Sequence, residues 1–142
     1  MAEKFISERN LKFLLNEVFD TPALVRHPYY ADHSPETLDM VLDTAVKLAR
    51  DTLKPCFTEM DRNPPVFADG TVHVHPMVRQ ILRQFGEGGW ISAMASTEHG
   101  GQQLPMIVVM ATHFIFSAAN YSGSIYPSAC TGAAHLITSF GT

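Results

Sequence analysis

The sequence predicts an all-α protein, a helical bundle with at most a short hairpin near residues 66–75. Two observations lead to this prediction. Apolar residues recur at helical spacing through most of the chain, and the segments between these periodic runs are short, as in helical bundles. The chain has 142 residues, of which 46% are hydrophobic and 17% charged, a composition typical of a globular domain with its own core.

The first predicted helix covers residues 8–19. Ser7 precedes it as the expected N-cap, and Thr21 and Pro22 follow its end. The apolar residues at helical spacing form the stripe that we expect to be buried. They are Leu11, Leu14, Leu15, Val18 and Phe19.

A longer helix is predicted to begin after Ser34. Pro35 and Glu36 follow, and both residue types are favoured in a first helical turn. The apolar pattern continues to Met60, and Pro55 should kink the helix because proline has no backbone N–H to donate. The expected buried side consists of Leu38, Val41, Leu42, Ala45, Leu48, Ala49 and Leu53.

An irregular segment is predicted over residues 63–75. Its Asp69-Gly70 pair indicates a turn, and residues 72–74 could form a short strand. Pro76 then opens a third helix, for which Gly86 is the expected C-terminal cap. The inward side of this helix should consist of Val78, Ile81, Leu82 and Phe85.

The chain carries no charged side chain after Glu98, although it has ten basic and fourteen acidic residues up to and including that position. Two more helices are predicted here, over residues 105–119 and 124–140. A surface helix normally keeps a charged face, so these two should be covered by more chain or by another subunit. About 500 Å² of uncovered apolar surface would cost about 12 kcal/mol, which is comparable to the stability of a whole domain. The longest apolar stretch, residues 104–119, is too short to span a bilayer, which takes about 20 residues.

Charge and cysteine content exclude several classes of protein. The formal net charge of -4 and the pI of about 5.9 argue against binding to nucleic acid or to anionic lipid. Cys56 and Cys130 are too few for a disulfide framework and lack metal-ligand spacing. We therefore expect a reducing, cytoplasmic location, and the N-terminus shows no signal-peptide pattern.

The segment between Gly86 and Pro105 is rich in glycine, which allows tight turns and close backbone contacts. It does not join a strand to a helix as a dinucleotide-binding loop does, so we interpret it as a structural connector. Glu98 and His99 within it have no orienting partner for acid–base catalysis.

Histidines are the other candidates for chemistry. His73 and His75 would share one face of a short strand, but no third metal ligand is near them in the sequence. His113 and His135 lie in the uncharged helices, where we expect hydrogen-bonded core residues. The sequence thus predicts neither a metal site nor a catalytic residue.

Small residues recur in the last predicted helix. Ser124, Ser128 and Gly132 are four residues apart, and Ala129 and Ala133 lie beside them. One interpretation is close packing of another helix against this stripe. The other is a wall that a ligand lies against. Spacing alone favours the first.

The order of these features resembles the N-terminal domain of acyl-CoA dehydrogenases over about residues 35–142. The matching features are Pro55 in a long helix, Glu59, Asp61, Gly86, Gly89-Trp90, Glu98-His99-Gly100-Gly101, Leu104-Pro105, the two small-residue helices and Gly141-Thr142. Family members commonly have proline at Ser96 and glycine at Gln103. The additional first helix is similar to the extension of a bacterial subgroup that includes the methylmercaptopropionyl-CoA dehydrogenases. The resemblance divides the chain into an N-terminal extension, residues 1–33, and the family's helical domain, residues 34–142.

The resemblance implies an FAD-dependent enzyme that dehydrogenates an acyl-CoA thioester between its α and β carbons. In this family a middle β-domain and a C-terminal helical bundle hold the flavin and the catalytic glutamate, and neither lies within these residues. This chain alone is therefore expected to be inactive and to bind no FAD. Its implied role is to wall the acyl pocket with Ser124, Ser128, Ala129 and Gly132.

Further partners follow from the same resemblance. They are the acyl-CoA substrate, the remaining domains of the enzyme, further copies in a homo-oligomer, and electron-transferring flavoprotein. A second hypothesis stays open, in which the chain is a standalone helical module that binds a partner or associates with itself. Gly141 can cap one helix and Thr142 can begin another, so we expect the chain to continue, which favours the enzyme.

Overall fold

The computed structural model describes residues 5–141, and within them the fold is a helical bundle with a two-stranded hairpin, as predicted. The helices are α1 (Glu8–Phe13), α2 (Pro35–Leu48), α3 (Lys54–Arg62), α4 (Met77–Glu87) and α5 (Met106–Phe140). The strands are β1 (Val66–Ala68) and β2 (Thr71–His73). Single π-helical turns follow α1 (Leu14–Val18) and α2 (Ala49–Leu53), and short 3₁₀ segments lie at Thr21–Arg26, Pro28–Tyr30 and Thr97–His99.

Helix α2, the π-helical turn Ala49–Leu53 and α3 follow one another without a gap and are together called the α2–α3 rod below. The core lies between this rod, α4 and the first half of α5. Leu53, Ile81 and Ile115 are completely buried there, one from each of the three elements. Phe116 packs edge-on against the rings of Phe85 and Trp90, with centroids 4.7 and 5.2 Å apart. Such edge-to-face pairs stabilise the packing beyond the area that they bury.

The N-terminal helix begins as predicted, because the Ser7 hydroxyl accepts a hydrogen bond from the backbone N–H of Asn10. Its predicted buried stripe is only partly confirmed. Leu15 is buried and Leu11 half-buried, but the other three positions are exposed. The cause is the π-helical turn Leu14–Val18, which is wider than an α-helical turn and rotates the later residues out of the 3.6-residue spacing.

Helix α2 begins with the predicted cap. The Ser34 hydroxyl accepts a hydrogen bond from the backbone N–H of Thr37, and the Thr37 hydroxyl accepts one from the N–H of Ser34. The predicted inward side is confirmed, with Val41 and Leu48 half-buried and the other five positions buried. Near Pro55 the helix departs from regular geometry as a π-helical turn, Ala49–Leu53, so that proline falls in the first turn of α3.

The hairpin forms around the predicted turn. Asp69 and Gly70 have φ angles of 50° and 76°, and this left-handed pair is the combination that a two-residue hairpin turn requires. The strands pair Val66 with His73 and Ala68 with Thr71. The second strand thus lies one residue before the predicted position.

Helix α4 passes through Gly86, so the predicted cap is wrong by one turn. It ends at Glu87, and Gly89 follows in the left-handed conformation at φ 72°. The N–H of Trp90 donates to the Phe85 carbonyl and the N–H of Gly89 to the Gly86 carbonyl. This pair of hydrogen bonds is a Schellman motif, which requires its glycine two positions after the last helical residue.

Helix α5 holds both predicted C-terminal helices, joined at a break. Asn120 lies inside it with non-helical angles, φ -165° and ψ 94°. The break falls between the two predicted helices, but the second one starts at once after Asn120. No helix in the described part of the chain is long and apolar enough to cross a membrane.

Candidate functional site

The break in α5 is organised by the side chain of Asn120, which is completely buried. Its Oδ1 accepts a hydrogen bond from the backbone N–H of Gly123 at 3.0 Å, so it caps the helix that follows. Its Nδ2 donates to the carbonyl of Leu53, also at 3.0 Å. The sequence reasoning missed this residue. Asparagine is a preferred N-cap, and its position between two apolar helical runs could have indicated the break.

The part of α5 after the break, residues 121–140, is called the wall segment below. Its inner side consists of buried residues that follow helical spacing, namely Gly123, Ser124, Pro127 and Thr131. The Ser124 hydroxyl donates to the Tyr121 carbonyl at 3.3 Å, and the Ser128 hydroxyl to the Ser124 carbonyl at 2.9 Å. Both hydroxyls are therefore satisfied within the wall segment itself.

The four predicted pocket residues do not share one environment. Ser124 is buried, Ser128 is half-buried, and Ala129 and Gly132 are exposed. A step of four residues rotates about 40° around a helix, so a stripe of such steps winds from the inner side to the outer side. A Cβ added at Gly132 would meet no atom within 4 Å, whereas one at Gly123 would lie 2.9 Å from the Ile81 side chain.

Helix α5 exposes a large apolar surface. Eight large hydrophobic residues of this helix are exposed, at levels from 41% for Ile125 to 78% for Phe140. They are Met106, Met110, Phe114, Tyr121, Ile125, Leu136, Ile137 and Phe140. No charged side chain interrupts this surface, since residues after Glu98 carry none. Uninterrupted apolar surface of this kind marks a contact with other protein or with a ligand.

The histidines and Glu98 belong to no metal-binding cluster among the described residues. No group of three or more His, Cys, Asp or Glu that could hold a metal ion occurs there. His75 is largely buried and pairs through Nε2 with the Glu59 carboxylate at 3.3 Å, while its Nδ1 accepts the N–H of Met77. This histidine therefore joins the start of α4 to α3.

The expectation for the two histidines of α5 is only partly met. His135 is exposed, so its placement in the core is wrong. His113 is half-buried, and burial lowers the pKa of its ring below the usual value of 6.5. Within the described residues its ring makes no hydrogen bond, so desolvation alone acts on it.

The cysteines are both free thiols. Cys56 is buried and donates to the carbonyls of Thr52 and Leu53, each at 3.3 Å. Burial raises the pKa of this thiol, which keeps it protonated and unreactive. Cys130 lies exposed on the wall segment.

Comparison with known protein families identifies the family to which this helical domain belongs. The family model described as acyl-CoA dehydrogenase, N-terminal domain, matches residues 35–142. The chain belongs to this family. The match begins at the first residue of α2 and includes all of α5, the range over which the sequence resemblance was found.

A related protein is the broad-specificity linear acyl-CoA dehydrogenase FadE5 of Mycobacterium tuberculosis. It is 29% identical to this chain over 136 residues, which cover 94% of the chain. The same residues cover 22% of the relative, so this acyl-CoA dehydrogenase N-terminal domain spans about a fifth of that protein's length.

Two glycines in the connector of this acyl-CoA dehydrogenase domain lie against the chain's own atoms. A Cβ at Gly101 would overlap the Ala95 backbone, and one at Gly89 would overlap the Gln102 side chain. These two glycines therefore serve close packing. The connector's carbonyls at Gln102 and Gln103 accept hydrogen bonds from the Nε2 of His33, at 3.0 and 3.2 Å.

The two departures from the acyl-CoA dehydrogenase pattern have local explanations. Gln103 has φ 53°, the left-handed conformation that favours glycine, and its side chain donates to the Tyr29 carbonyl. Ser96 has φ -62°, an angle that proline also adopts, and its hydroxyl lies 2.8 Å from the Nδ1 of His99. Both positions therefore keep the expected backbone while adding a side-chain contact.

Proposed function

We propose that this chain is the N-terminal part of an FAD-dependent acyl-CoA dehydrogenase that oxidises an acyl-CoA thioester between its α and β carbons. The wall segment would line the acyl pocket through Ser128, Ala129 and Gly132, whereas Ser124, the fourth residue predicted for the pocket, is buried on the inner side. The observation that carries the proposal is the uncharged, exposed surface of α5 in a chain that matches this family from residue 35 to 142.

The chemistry itself is proposed to occur outside this chain. In the proposed dehydrogenation a base would take the α-proton, and bound FAD would supply the acceptor for the β-hydrogen. Helix α5 contains no carboxylate that could act as the base. The role of the wall segment is then to bind the acyl chain and exclude water, and each methylene so buried contributes about 0.8 kcal/mol to binding.

The exposed apolar surface of α5 supports the presence of further domains. Met106, Met110 and Phe114 lie before the break and precede the wall segment along the same helix. The pocket would need one part of this surface, and the remaining domains of the enzyme would cover the rest. Homo-oligomer formation, cytoplasmic location and electron transfer to electron-transferring flavoprotein belong to the same proposal.

Small residues on the wall segment bear on substrate size. Ala129 and Gly132 are exposed and leave open space beside the helix, since nothing lies within 4 Å of an added Cβ at Gly132. We propose that this space admits a bulky or branched acyl group. A place in the subgroup that includes the methylmercaptopropionyl-CoA dehydrogenases would fit the N-terminal extension, whose α1 precedes the family match.

Flavin binding and turnover test the enzymatic part of the proposal. The intact protein that contains this domain should purify with FAD, and addition of an acyl-CoA should reduce that flavin. The 142-residue chain should carry no flavin and show no activity. Stoichiometric FAD on the 142-residue chain, or an intact protein that does not respond to any acyl-CoA, would contradict the proposal.

A matched pair of glycine variants tests the pocket wall. Gly132→Leu should lower kcat/KM for large acyl groups more than for small ones, because it fills the proposed space. Gly86→Leu in α4 is the control, since it too is an exposed helical glycine with nothing within 4 Å of an added Cβ. If Gly132→Leu leaves the dependence of kcat/KM on acyl size unchanged, the proposal that this segment lines the acyl pocket is refuted.

The alternative is a standalone module that associates through its apolar surfaces. Exposed apolar residues near the N-terminus favour this hypothesis. In and just after the first helix, about half or more of the surface of Phe13, Val18 and Phe19 is exposed. The reading frame after codon 142 separates the two. A frame that encodes a β-domain and a further helical bundle supports the enzyme, and a native stop codon supports the module.

A further inference from the structure

We propose that Asn120 is a positioning residue, which sets the direction of the wall segment and thereby the acyl-chain length that the pocket accepts. The inference rests on the proposed function of the wall segment. It identifies the contact that would determine specificity, and that contact lies in the interior of the domain, away from the wall surface.

Asn120 joins two parts of the molecule through the two ends of one rigid amide. The amide oxygen accepts a hydrogen bond from the backbone N–H of Gly123, in the first turn of the wall segment. The amide nitrogen donates a hydrogen bond to the carbonyl of Leu53, the residue at which the π-helical turn of the α2–α3 rod ends. Leu53 and Asn120 are both completely buried, so water cannot replace either bond.

A second contact fixes the wall segment against α4. Gly123 lies so close to Ile81 that an added Cβ would stand 2.9 Å from the Ile81 Cδ1. Near the amide nitrogen of Asn120 lie the sulfur atoms of Cys56 and Met60, at 3.5 and 3.4 Å. Sulfur is a weak hydrogen-bond acceptor, so the Leu53 carbonyl is the partner that holds the amide in place.

Distance along the helix makes the pocket sensitive to this contact. Gly132 is twelve residues beyond Asn120, or about 18 Å at 1.5 Å per residue. A tilt of about 5° at the break would therefore move Gly132 by about 1.5 Å, which is roughly one carbon–carbon bond. One methylene more or less in an apolar pocket changes kcat/KM by about tenfold or more.

Two substitutions separate the two ends of the amide. Asn120→Leu has a similar size and loses both hydrogen bonds. Asn120→Asp keeps the acceptor for Gly123 but, when ionised, has no donor for the Leu53 carbonyl. A buried carboxyl that faces a carbonyl has a raised pKa, and its protonated form can donate again. The aspartate variant should therefore approach wild-type behaviour as pH falls.

The experiment measures kcat/KM of the intact enzyme for a series of straight-chain acyl-CoA thioesters. We expect the ratio of long-chain to short-chain values to change about tenfold in both variants at neutral pH. Lowering the pH should restore the ratio in Asn120→Asp and leave Asn120→Leu unchanged. Val108→Ala is the control for lost stability, because Val108 is buried in α5 before the break, and its ratio should stay within about twofold of wild type.

A ratio within twofold of wild type at every pH in Asn120→Asp would overturn the inference. If the aspartate and leucine variants do not fold, Asn120→Ser keeps an N-cap oxygen without a charge and should show the same altered ratio. The Gly132→Leu variant separates a failure of the positioning role of Asn120 from a failure of the proposed pocket wall. An altered profile there with unaltered Asn120 variants refutes the positioning role alone, whereas an unaltered Gly132→Leu profile refutes the wall.

Discussion

The side-chain nitrogen of Asn120 lies 3.0 Å from the carbonyl oxygen of Leu53, although 67 residues separate them in sequence. This buried hydrogen bond fastens the break of α5 to the point where the α2–α3 rod changes from π-helical to α-helical geometry. The Asn120 side chain thus joins the α2–α3 rod to the wall segment, and the stability of the domain should depend on it.

Asn120→Ala should lower the free energy of unfolding by about 2–4 kcal/mol, since it removes a helix cap and leaves the Leu53 carbonyl without this partner. Urea denaturation followed by the fluorescence of Trp90, the chain's one tryptophan, would measure the change. Asn63→Ala is the control. Its amide donates to the Glu59 carbonyl at an exposed helix end, so the loss should be about 1 kcal/mol or less. Equal losses in both variants would contradict the role assigned to Asn120.

Two glycine-to-alanine substitutions should have opposite effects. Gly101→Ala forces a methyl group into the Ala95 backbone and should destabilise the fold by about 1–3 kcal/mol. Gly86→Ala places a methyl group in open space inside α4 and should stabilise it by about 0.5–1 kcal/mol. Thermal denaturation of both variants checks the pair. A stable Gly101→Ala would show that the connector is looser than described.

Burial of His113 should make stability depend on pH. Its pKa is lowered in the folded state because burial disfavours the charged ring, so below about pH 6.5 the unfolded chain binds more protons than the folded one. The free energy of unfolding should therefore fall as the pH drops through that range and be fully recovered above it. Replacing His113 by Gln should remove this part of the dependence. Urea midpoints of the two proteins between about pH 5 and 8 test it, and parallel curves would contradict it.

The exposed apolar surface of α5 should make the isolated chain associate. Replacing Met110 and Phe114 by glutamate should lower the apparent mass of the 142-residue chain in light scattering, because it interrupts that surface with charge. The same pair should impair the intact enzyme, in which we propose that other domains cover these positions. If the wild-type 142-residue chain is already a stable monomer, this result contradicts the proposal that other protein covers the apolar surface of α5.

Much of the fold follows from local sequence chemistry. Ser34 and Thr37 are three residues apart and cap α2 with each other, and Asp69-Gly70 forms its turn without help from distant residues. Such features depend on neighbours in the chain, so the sequence predicts them. The end of α4 was predicted at Gly86, but the helix continues to Glu87 because the backbone hydrogen bonds place the left-handed residue at Gly89.

The site could be predicted only in part, because its geometry depends on distant contacts. The small residues of the wall segment are visible in the sequence, but which of them face outward depends on how the helix is rotated, and Ser124 turned out to lie inside. That rotation is held by Asn120 and Leu53, whose contact has no signature in the sequence. Exposure of Val18 on the first helix likewise results from a π-helical turn that apolar spacing does not reveal.

The most direct test of the account is a crystal structure of the intact enzyme with a bound acyl-CoA. The account predicts that carbon atoms of the acyl chain lie within about 4.5 Å of Ser128, Ala129 and Gly132, the limit for van der Waals contact. It also predicts that the Asn120 amide still bonds to the Leu53 carbonyl beneath them. An acyl chain bound beyond contact distance of the wall segment would contradict the account.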